Sequence, residues 1–177
     1  MNQPAWRVRP AREKDRSLLE RFSCADPAIA WRVEVEEFVR NGLLDWAFAP
    51  LAQEGDPRLL LLFDRKSKAL VGLGAHERST LQFREETPIA ATKLEVAALA
   101  RSWQGRRFAS GERASDVLMS AVMTDVQARV PKRYARVFAV VHEDNTRSIR
   151  LCERFGLVEE LSRPHPRYRR LVTAQRK

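Results

Sequence analysis

Residues 140–157 read VVHEDNTRSIRLCERFGL and combine the end of a strand with a complete short helix. The preceding apolar run, Tyr134 to Val141, is typical of a buried strand. Asn145 suits the first position of the helix, and Gly156 suits its end because glycine adopts the left-handed conformation readily. The apolar side chains between them share one broad face; they are Ile149, Leu151, Cys152 and Phe155. The stretch therefore predicts a strand followed by a helix that packs against a sheet.

A second strand is predicted upstream, from Thr92 to Ala100, and it is apolar except for Lys93 and Glu95. A loop containing glycine and arginine follows it. Apolar residues at helical spacing then predict a helix that ends near Pro131; they are Val117, Leu118, Ala121, Val122 and Val126. Because the chain next returns to a strand, residues 92–141 predict a strand-helix-strand crossover.

The N-terminal half predicts helices and then a hairpin. The signals are, in chain order, a strand at 6–9, helices at 12–23 and 31–39, and a hairpin of 59–63 with 70–75. Gly42 is expected to end the second helix in a left-handed turn. With two short strands after Gly156, the pattern is α/β, and the length predicts a single domain over residues 1–177.

The composition restricts the compartment and the partners. The first ten residues contain no apolar stretch, and the longest apolar run, Leu59 to Phe63, is too short to cross a bilayer. Cys24 and Cys152 are the only cysteines, and they favour neither a disulfide framework nor a metal site. We therefore expect a cytoplasmic protein with no membrane partner and no metal. The net charge of +9 indicates an anionic partner, which could be a nucleic acid, an acidic protein or a phosphorylated cofactor.

Two segments resemble the GNAT superfamily of acyltransferases. One is residues 94–109, LEVAALARSWQGRRFA, and the other is residues 140–157, in which an asparagine opens a helix with an aromatic-Gly-apolar ending. A weaker match, residues 8–13, resembles the opening strand of the family. The resemblance implies a mixed central sheet of about six to seven strands flanked by about four helices. A splayed parallel strand pair would hold coenzyme A.

The first segment resembles the coenzyme-binding loop of the family, Gln/Arg-x-x-Gly-x-Gly/Ala. Gln104 and Ala109 match this pattern, whereas Arg107 stands where a glycine is expected. The alternative is a longer loop that turns at Gly105 and Gly111, with its helix starting near residue 112 or 114. In either register, backbone N–H groups at the helix N-terminus can hold a pyrophosphate. The predicted coenzyme-binding residues are Leu99, Ala100, Arg101, Gln104, Gly105, Arg106, Arg107, Ala109, Ser110, Gly111 and Asn145.

The resemblance also implies a mechanism in which an amine attacks the thioester directly. The strand end, Leu99 to Arg101, would pair with the pantetheine arm and supply a backbone N–H to the developing oxyanion. Glu95, expected on the same face as Ala97 and Leu99, is the candidate general base, and a salt-bridged structural role is the alternative. Cys152 occupies the place of a family tyrosine that protonates the departing thiolate, although a buried core thiol is the commoner role. Asn145 is expected to contact the coenzyme, to cap its helix, or both.

These expectations predict an N-acetyltransferase that uses acetyl-CoA and a primary amine on a small molecule or protein. The alternative is a catalytically inactive GNAT-fold module that binds coenzyme A or regulates a partner. A third interpretation, RNA binding, rests on the positive charge alone, because no nucleic-acid motif is present. The sequence identifies neither the acceptor nor the oligomeric state, and a homodimer is one assembly it allows.

Overall fold

The computed structural model describes residues 3–49, 55–82, 87–129, 131–160 and 166–173. The strands are β1 (Trp6–Pro10), β2 (Arg58–Asp64), β3 (Leu70–Leu81), β4 (Ile89–Leu99), β5 (Val137–His142), β6 (Leu157–Glu159) and β7 (Tyr168–Thr173). The helices are α1 (Arg16–Glu20), α2 (Ala30–Asn41), α3 (Leu43–Phe48), α4 (Ala114–Arg129) and α5 (Thr146–Arg154).

The strands of the described residues form one seven-stranded sheet with the order β1-β2-β3-β4-β5-β7-β6. Neighbouring strands are antiparallel except for β4 and β5, which are parallel and are joined through α4. The mixed sheet with its parallel central pair confirms the predicted α/β architecture. None of the helices in the described ranges is long and apolar enough to span a membrane.

Apolar residues cover both faces of the sheet. On one face, α1, α2 and α3 contribute Leu19, Val39 and Leu43 to a core that also contains strand residues of β2 and β3. On the other face, α4 and α5 contribute Met119 and Ile149. The burial of these side chains supplies the main driving force for folding.

Two glycines in β3 let α4 approach the sheet closely. A Cβ atom at Gly74 would lie 2.5 Å from Cγ2 of Val122 on α4. One at Gly72 would lie 3.4 Å from Cδ2 of Leu118 on α4 and 2.7 Å from the carbonyl oxygen of Ala98 on β4. Neither position has room for a side chain. The close packing holds α4 against β3 and β4, and so brings the N-terminus of α4 near the end of β4.

A β-bulge in β4 lies at the point where β4 and β5 diverge. In the β3–β4 register, His76 pairs with Leu94 but Ala75 pairs with Val96, which leaves Glu95 as an extra residue on β4. The β4–β5 pairing stops at Leu94, although β4 continues beside β3 and β5 continues beside β7. Because a bulge bends and twists its strand, the two parallel strands diverge at Glu95. This geometry confirms the predicted splayed pair.

Several predicted boundaries differ from the structure. Gly42 does not adopt a left-handed conformation, since its φ is −126°, and the chain continues from it directly into α3, which the sequence pattern did not indicate. The strand predicted from Tyr134 starts at Val137, after a short 3-10 turn. In that turn the Tyr134 carbonyl accepts a hydrogen bond from the Thr92 hydroxyl at 2.8 Å, so it anchors the turn to β4.

Candidate active site

A cavity of about 560 Å³ opens where β4 and β5 diverge. Its wall is formed by α2, the end of β4, the loop that precedes α4, the first turn of α4 and one side of α5 along its whole length. Six of the predicted coenzyme-binding residues line it: Leu99, Gln104, Gly105, Arg106, Arg107 and Asn145. The remaining predicted site residues, Glu95, Ala100, Arg101, Ala109, Ser110, Gly111 and Cys152, lie outside its lining.

The end of β4 directs alternate peptide groups into the cavity. The Ala100 N–H donates to the Val71 carbonyl at 2.8 Å, so it faces β3. Because successive N–H groups of a strand point to opposite edges, those of Leu99 and Ala97 face the gap left by β5. The Arg101 N–H donates to the Ser23 carbonyl at 2.7 Å. Of the three residues expected to offer backbone donors, therefore, Ala100 and Arg101 already use theirs within the protein.

The loop before α4 turns at its two glycines. Gly105 has a φ of +78° and Gly111 has a φ of +91°. Between them the chain forms a small hairpin, in which the Phe108 N–H donates to the Glu112 carbonyl and Arg107 lies opposite Arg113. The structure therefore adopts the longer of the two loop registers, with α4 starting at residue 114. Arg107 avoids the left-handed conformation because the glycines provide it.

The cavity is strongly basic. Seven arginines contribute to its lining: Arg32, Arg106, Arg107, Arg113, Arg147, Arg150 and Arg154. None of the described aspartates and glutamates lines it. Asp116, which is not part of the lining, forms an ion pair with Arg154, with 2.5 Å between its Oδ1 and Nη2 of the arginine. The start of α4, where Ser115 lines the cavity, adds the positive end of a helix dipole. Such a combination suits a ligand with several phosphate groups.

Three of these arginines come from α5 and were missed in the sequence. Arg147, Arg150 and Arg154 are spaced i, i+3 and i+7, so they share one face of the helix. The opposite face carries the buried Ile149 and Cys152. The helical spacing of the basic residues was thus a signal that could have identified this wall of the cavity.

Asn145 caps α5 and also lines the cavity. Its Oδ1 accepts a hydrogen bond from the Ser148 N–H at 3.2 Å. Because the oxygen is used in the cap, the Nδ2 amide group is what Asn145 can offer to a ligand. The two roles expected from the sequence are therefore compatible.

Gln104 has a structural role that its sequence position did not indicate. Its Nε2 donates to the Cys24 carbonyl at 2.7 Å and approaches the Leu99 carbonyl at 3.4 Å. It thereby ties the end of β4 to the connection between α1 and α2. That connection is held again by Glu36, whose Oε2 accepts the N–H groups of Cys24 and Ala25 at 2.6 and 2.7 Å.

The bulge moves Glu95 away from its expected face. Nζ of Lys93 lies 2.6 Å from Oε2 of Glu95, on the side of the sheet where Val96 packs against α1 to α3. Leu99 packs toward α4 on the opposite side. The expectation that Glu95 shares a face with Ala97 and Leu99 was wrong, because the extra residue reverses the alternation of side chains along β4.

Cys152 lies in the core rather than on the cavity wall. Its side chain is 6% exposed and packs in the cluster that contains Met119, Ile149 and Leu157. Burial raises the pKa of the Cys152 thiol to about 11. A thiol in this position is not placed to protonate a departing group in the cavity, so its structural role is the one that the geometry favours.

On the side of the cavity formed by α2, an aromatic stack joins α2 to the end of β5. The ring of Trp31, from α2, lies parallel to that of His142, at the end of β5, with a centroid separation of 5.2 Å. Tyr168 meets the same histidine ring edge-on at 5.3 Å. Trp31 lines the cavity, whereas the sequence pattern predicted only that residues 31–39 form a helix.

The fold matches those of several solved structures. The AtaT toxin bound to the C-terminus of the antitoxin AtaR superposes with a TM-score of 0.64 at 16% identity, covering 96% of this chain and 94% of that one. A protein from Desulfovibrio desulfuricans assigned to the GNAT acetyltransferases gives 0.61 at 16% identity, with coverage of 95% and 96%. NAA60 from Arabidopsis thaliana, in complex with a bisubstrate analogue, gives 0.56 at 15% identity, with coverage of 94% and 96%.

No protein-family model matches the sequence, and no curated protein matches it. The structural likeness, by contrast, extends over 94% to 96% of the chain. The chain therefore has the GNAT fold.

Proposed function

We propose that this protein transfers an acetyl group from acetyl-CoA to a primary amine. The observation that carries the proposal is the coincidence of the splayed strands with a cavity lined by seven arginines and the start of α4. Coenzyme A carries a pyrophosphate and a further phosphate on a long, hydrogen-bonding arm, so it requires both features. An AtaT structure that shares this fold contains acetyl-CoA, which supports the assignment.

In this proposal the phosphates lie against the arginine-rich loop and the N-terminus of α4. Arg106, Arg107 and Arg113 supply charge-assisted hydrogen bonds, and the Ser115 end of the helix supplies its dipole. The N–H and C=O groups of Ala97 and Leu99 pair with the pantetheine arm, because β5 has diverged from this part of β4. Nδ2 of Asn145 donates a further hydrogen bond from the opposite wall.

Acetyl transfer needs an oxyanion donor and a route for protons. When the amine nitrogen attacks the thioester carbonyl, a C–N bond forms, the C–S bond breaks, and the electron pair leaves with sulfur. A backbone N–H of Ala97 or Leu99 would stabilise the transient oxyanion, because these groups have no strand partner in the cavity. Glu95, beside the point of divergence, is the proposed acceptor of the proton that the amine loses.

The acceptor is proposed to enter from the side of α2. Trp31, Arg32 and Val35 line that side, and the Trp31–His142 stack joins α2 to the end of β5. Both cysteines are buried free thiols, which fits the reducing cytoplasm where acetyl-CoA is available.

Calorimetric titration with acetyl-CoA, and with desulfo-coenzyme A as a non-reactive control, tests the coenzyme assignment. We expect dissociation constants on the order of micromolar for both, corresponding to roughly −8 kcal/mol. Release of free thiol in the presence of spermidine or a glycyl peptide then tests transfer. Failure of both coenzymes to bind contradicts the proposal.

The second candidate is a GNAT-fold module that binds the coenzyme without catalysis. Two observations favour it: Cys152 lies in the core, and Glu95 is paired with Lys93. Binding of acetyl-CoA with no thiol release from any amine tested would support this candidate over the enzyme.

A further inference from the structure

The cavity passes through the sheet from one face to the other. On the face covered by α4, its lining includes Arg147 and Arg150 of α5. On the opposite face, it includes Trp31, Arg32 and Val35 of α2. Residues from the two faces share one cavity because β4 and β5 diverge and leave a gap between them. A ligand that enters from the α4 and α5 side therefore reaches α2 through this gap.

On the α2 side, Arg32 is held against an aromatic ring. Its Cζ atom lies 5.1 Å from the ring centroid of Trp31, and that indole is itself stacked on His142 at 5.2 Å. A guanidinium over an aromatic face is attracted through its charge, and it keeps its N–H groups as donors for another partner. Because the ring already restricts the side chain, less conformational entropy is lost when an anion binds to it.

Within the described ranges, no carboxylate pairs with Arg32. The acidic residue at helical spacing from it, Glu36 at i+4, accepts the N–H groups of Cys24 and Ala25 and forms an ion pair with Arg40. Arg32 is half-buried, so its charge is less screened by water than that of an exposed arginine. The helix thus presents to the cavity a guanidinium whose donors are available to a ligand.

The phosphates of coenzyme A do not neutralise the cavity. Of its seven lining arginines, Arg154 alone is paired with a carboxylate of the part of the chain that the structure describes, which leaves six. Coenzyme A carries about four negative charges at neutral pH, so about two positive charges remain. Glu95 does not offset them, because it is paired with Lys93 and lies outside the lining. A purely cationic acceptor would be repelled, and an acceptor with an anionic group would be attracted.

We propose that Arg32, held on Trp31, binds a carboxylate or phosphate group of the acceptor, so that the substrate is a primary amine that carries its own negative charge. This inference rests on the proposed function and adds the substrate class that the proposed function leaves open. A guanidinium binds either anion through paired N–H donors, so both anions belong to the class. Anchoring at Arg32 holds the amine within the cavity that Leu99, at the end of β4, also lines.

Two matched pairs of acceptors test the inference. O-phosphoethanolamine and ethanolamine differ by a phosphate, whereas β-alanine and β-alaninamide differ by a carboxylate. Thiol release from acetyl-CoA gives kcat/KM for each amine. We expect the wild type to prefer the anionic member of at least one pair by about tenfold or more, and the pair that shows the preference identifies the anion. Arg32→Gln should reduce this preference by about tenfold or more, the effect of losing a charge-assisted hydrogen bond.

Two further variants control for charge. Arg32→Lys keeps the positive charge without the planar guanidinium, so it should retain part of the preference. Arg7→Gln, on the exposed outer strand, lowers the net charge by the same amount as Arg32→Gln and should retain all of the preference. Calorimetry with desulfo-coenzyme A shows that each variant is folded and measures its affinity for the coenzyme. Arg32→Gln should lower that affinity by less than it lowers the preference between acceptors.

Several outcomes would overturn the inference. Equal kcat/KM values within both pairs, or a full preference retained in Arg32→Gln, would do so while leaving the proposed function intact. A loss of coenzyme affinity as large as the loss of preference would assign Arg32 to the coenzyme phosphates instead of the acceptor. If the wild type binds acetyl-CoA but acetylates none of these amines, the result counts against both the enzyme proposal and this inference.

Discussion

Nε2 of His76 lies 2.9 Å from Oδ2 of Asp125, and this hydrogen bond joins β3 to α4 beside the bulge. His76 is 1% exposed, and its Nδ1 has no hydrogen-bond partner. The neutral imidazole with its proton on Nε2 satisfies Asp125 and leaves only a lone pair unpaired, which costs less than burying a second N–H. The bond therefore fixes α4 at the place where β4 leaves β5.

This arrangement predicts that stability falls when the solution becomes mildly acidic. Desolvation lowers the pKa of His76 despite the opposing influence of Asp125. The unfolded state therefore takes up the proton first, so the contribution is complete above about pH 6.5 and is lost as the pH falls below that value. Urea unfolding at pH 7.5 and 5.5 should show a smaller free energy of unfolding at the lower pH. His76→Gln should reduce this difference, and Glu37→Gln, a substitution at an exposed position of α2, should retain it. The same difference in free energy between the two pH values in all three proteins would contradict the assignment.

The loop glycines predict a selective effect on coenzyme binding. Gly111→Ala places a side chain at a φ of +91°, with open space around its Cβ, so the cost is backbone strain of about 1 kcal/mol. We expect the affinity for desulfo-coenzyme A to fall several-fold as the loop shifts, measured by calorimetry. Gly156→Ala is the matched control, because it has the same strain at φ +80° but lies at the end of α5 and not in the loop that precedes α4. Equal losses of affinity in the two variants would count against the loop as the phosphate site.

The arginine face of α5 predicts a charge-specific loss. Arg150→Gln removes one guanidinium from the cavity wall, and a charge-assisted bond to a phosphate is worth about 1.5–3 kcal/mol, or roughly 10- to 150-fold in affinity. Arg7→Gln, on the exposed outer strand, changes the net charge equally and should leave calorimetric affinity nearly unchanged. If both variants weaken binding alike, the attraction is a property of the total charge and not of this wall.

The buried position of Cys152 predicts that its substitution changes the free energy of unfolding but not the rate of acetyl transfer. Cys152→Ser places a hydroxyl in an apolar cluster, which should cost about 1–3 kcal/mol of unfolding free energy in urea. Cys152→Ala should cost less, since it removes only one buried atom without adding a polar group. Acetyl transfer per folded molecule should stay within about twofold of the wild type in both, because the transition state is not expected to receive a proton from this thiol. A large drop in kcat in the folded serine variant would restore the catalytic hypothesis.

Local patterns in the sequence determined much of the element order. The spacing of apolar residues located α2, α4 and α5, and the crossover through α4 followed from the strand-helix-strand order. Asn145 and Gly156 marked the two ends of α5 because their side-chain chemistry acts on the backbone within a few residues. The basic composition likewise indicated an anionic partner before any fold was known.

The tertiary structure alone decided which of these residues face the cavity. The bulge at Glu95 arises from the pairing of β4 with β3. The sequence of β4 alone therefore does not indicate that the alternation of its side chains between the two faces is reversed after this residue. The engagement of the Ala100 and Arg101 N–H groups depends in the same way on Val71 and Ser23, which are distant in the sequence. Seven arginines from three parts of the chain converge only because packing brings α2, the loop and α5 around one gap. Periodicity is a property of neighbouring residues, whereas register and convergence are set by contacts between segments, and those contacts form only in the folded sheet.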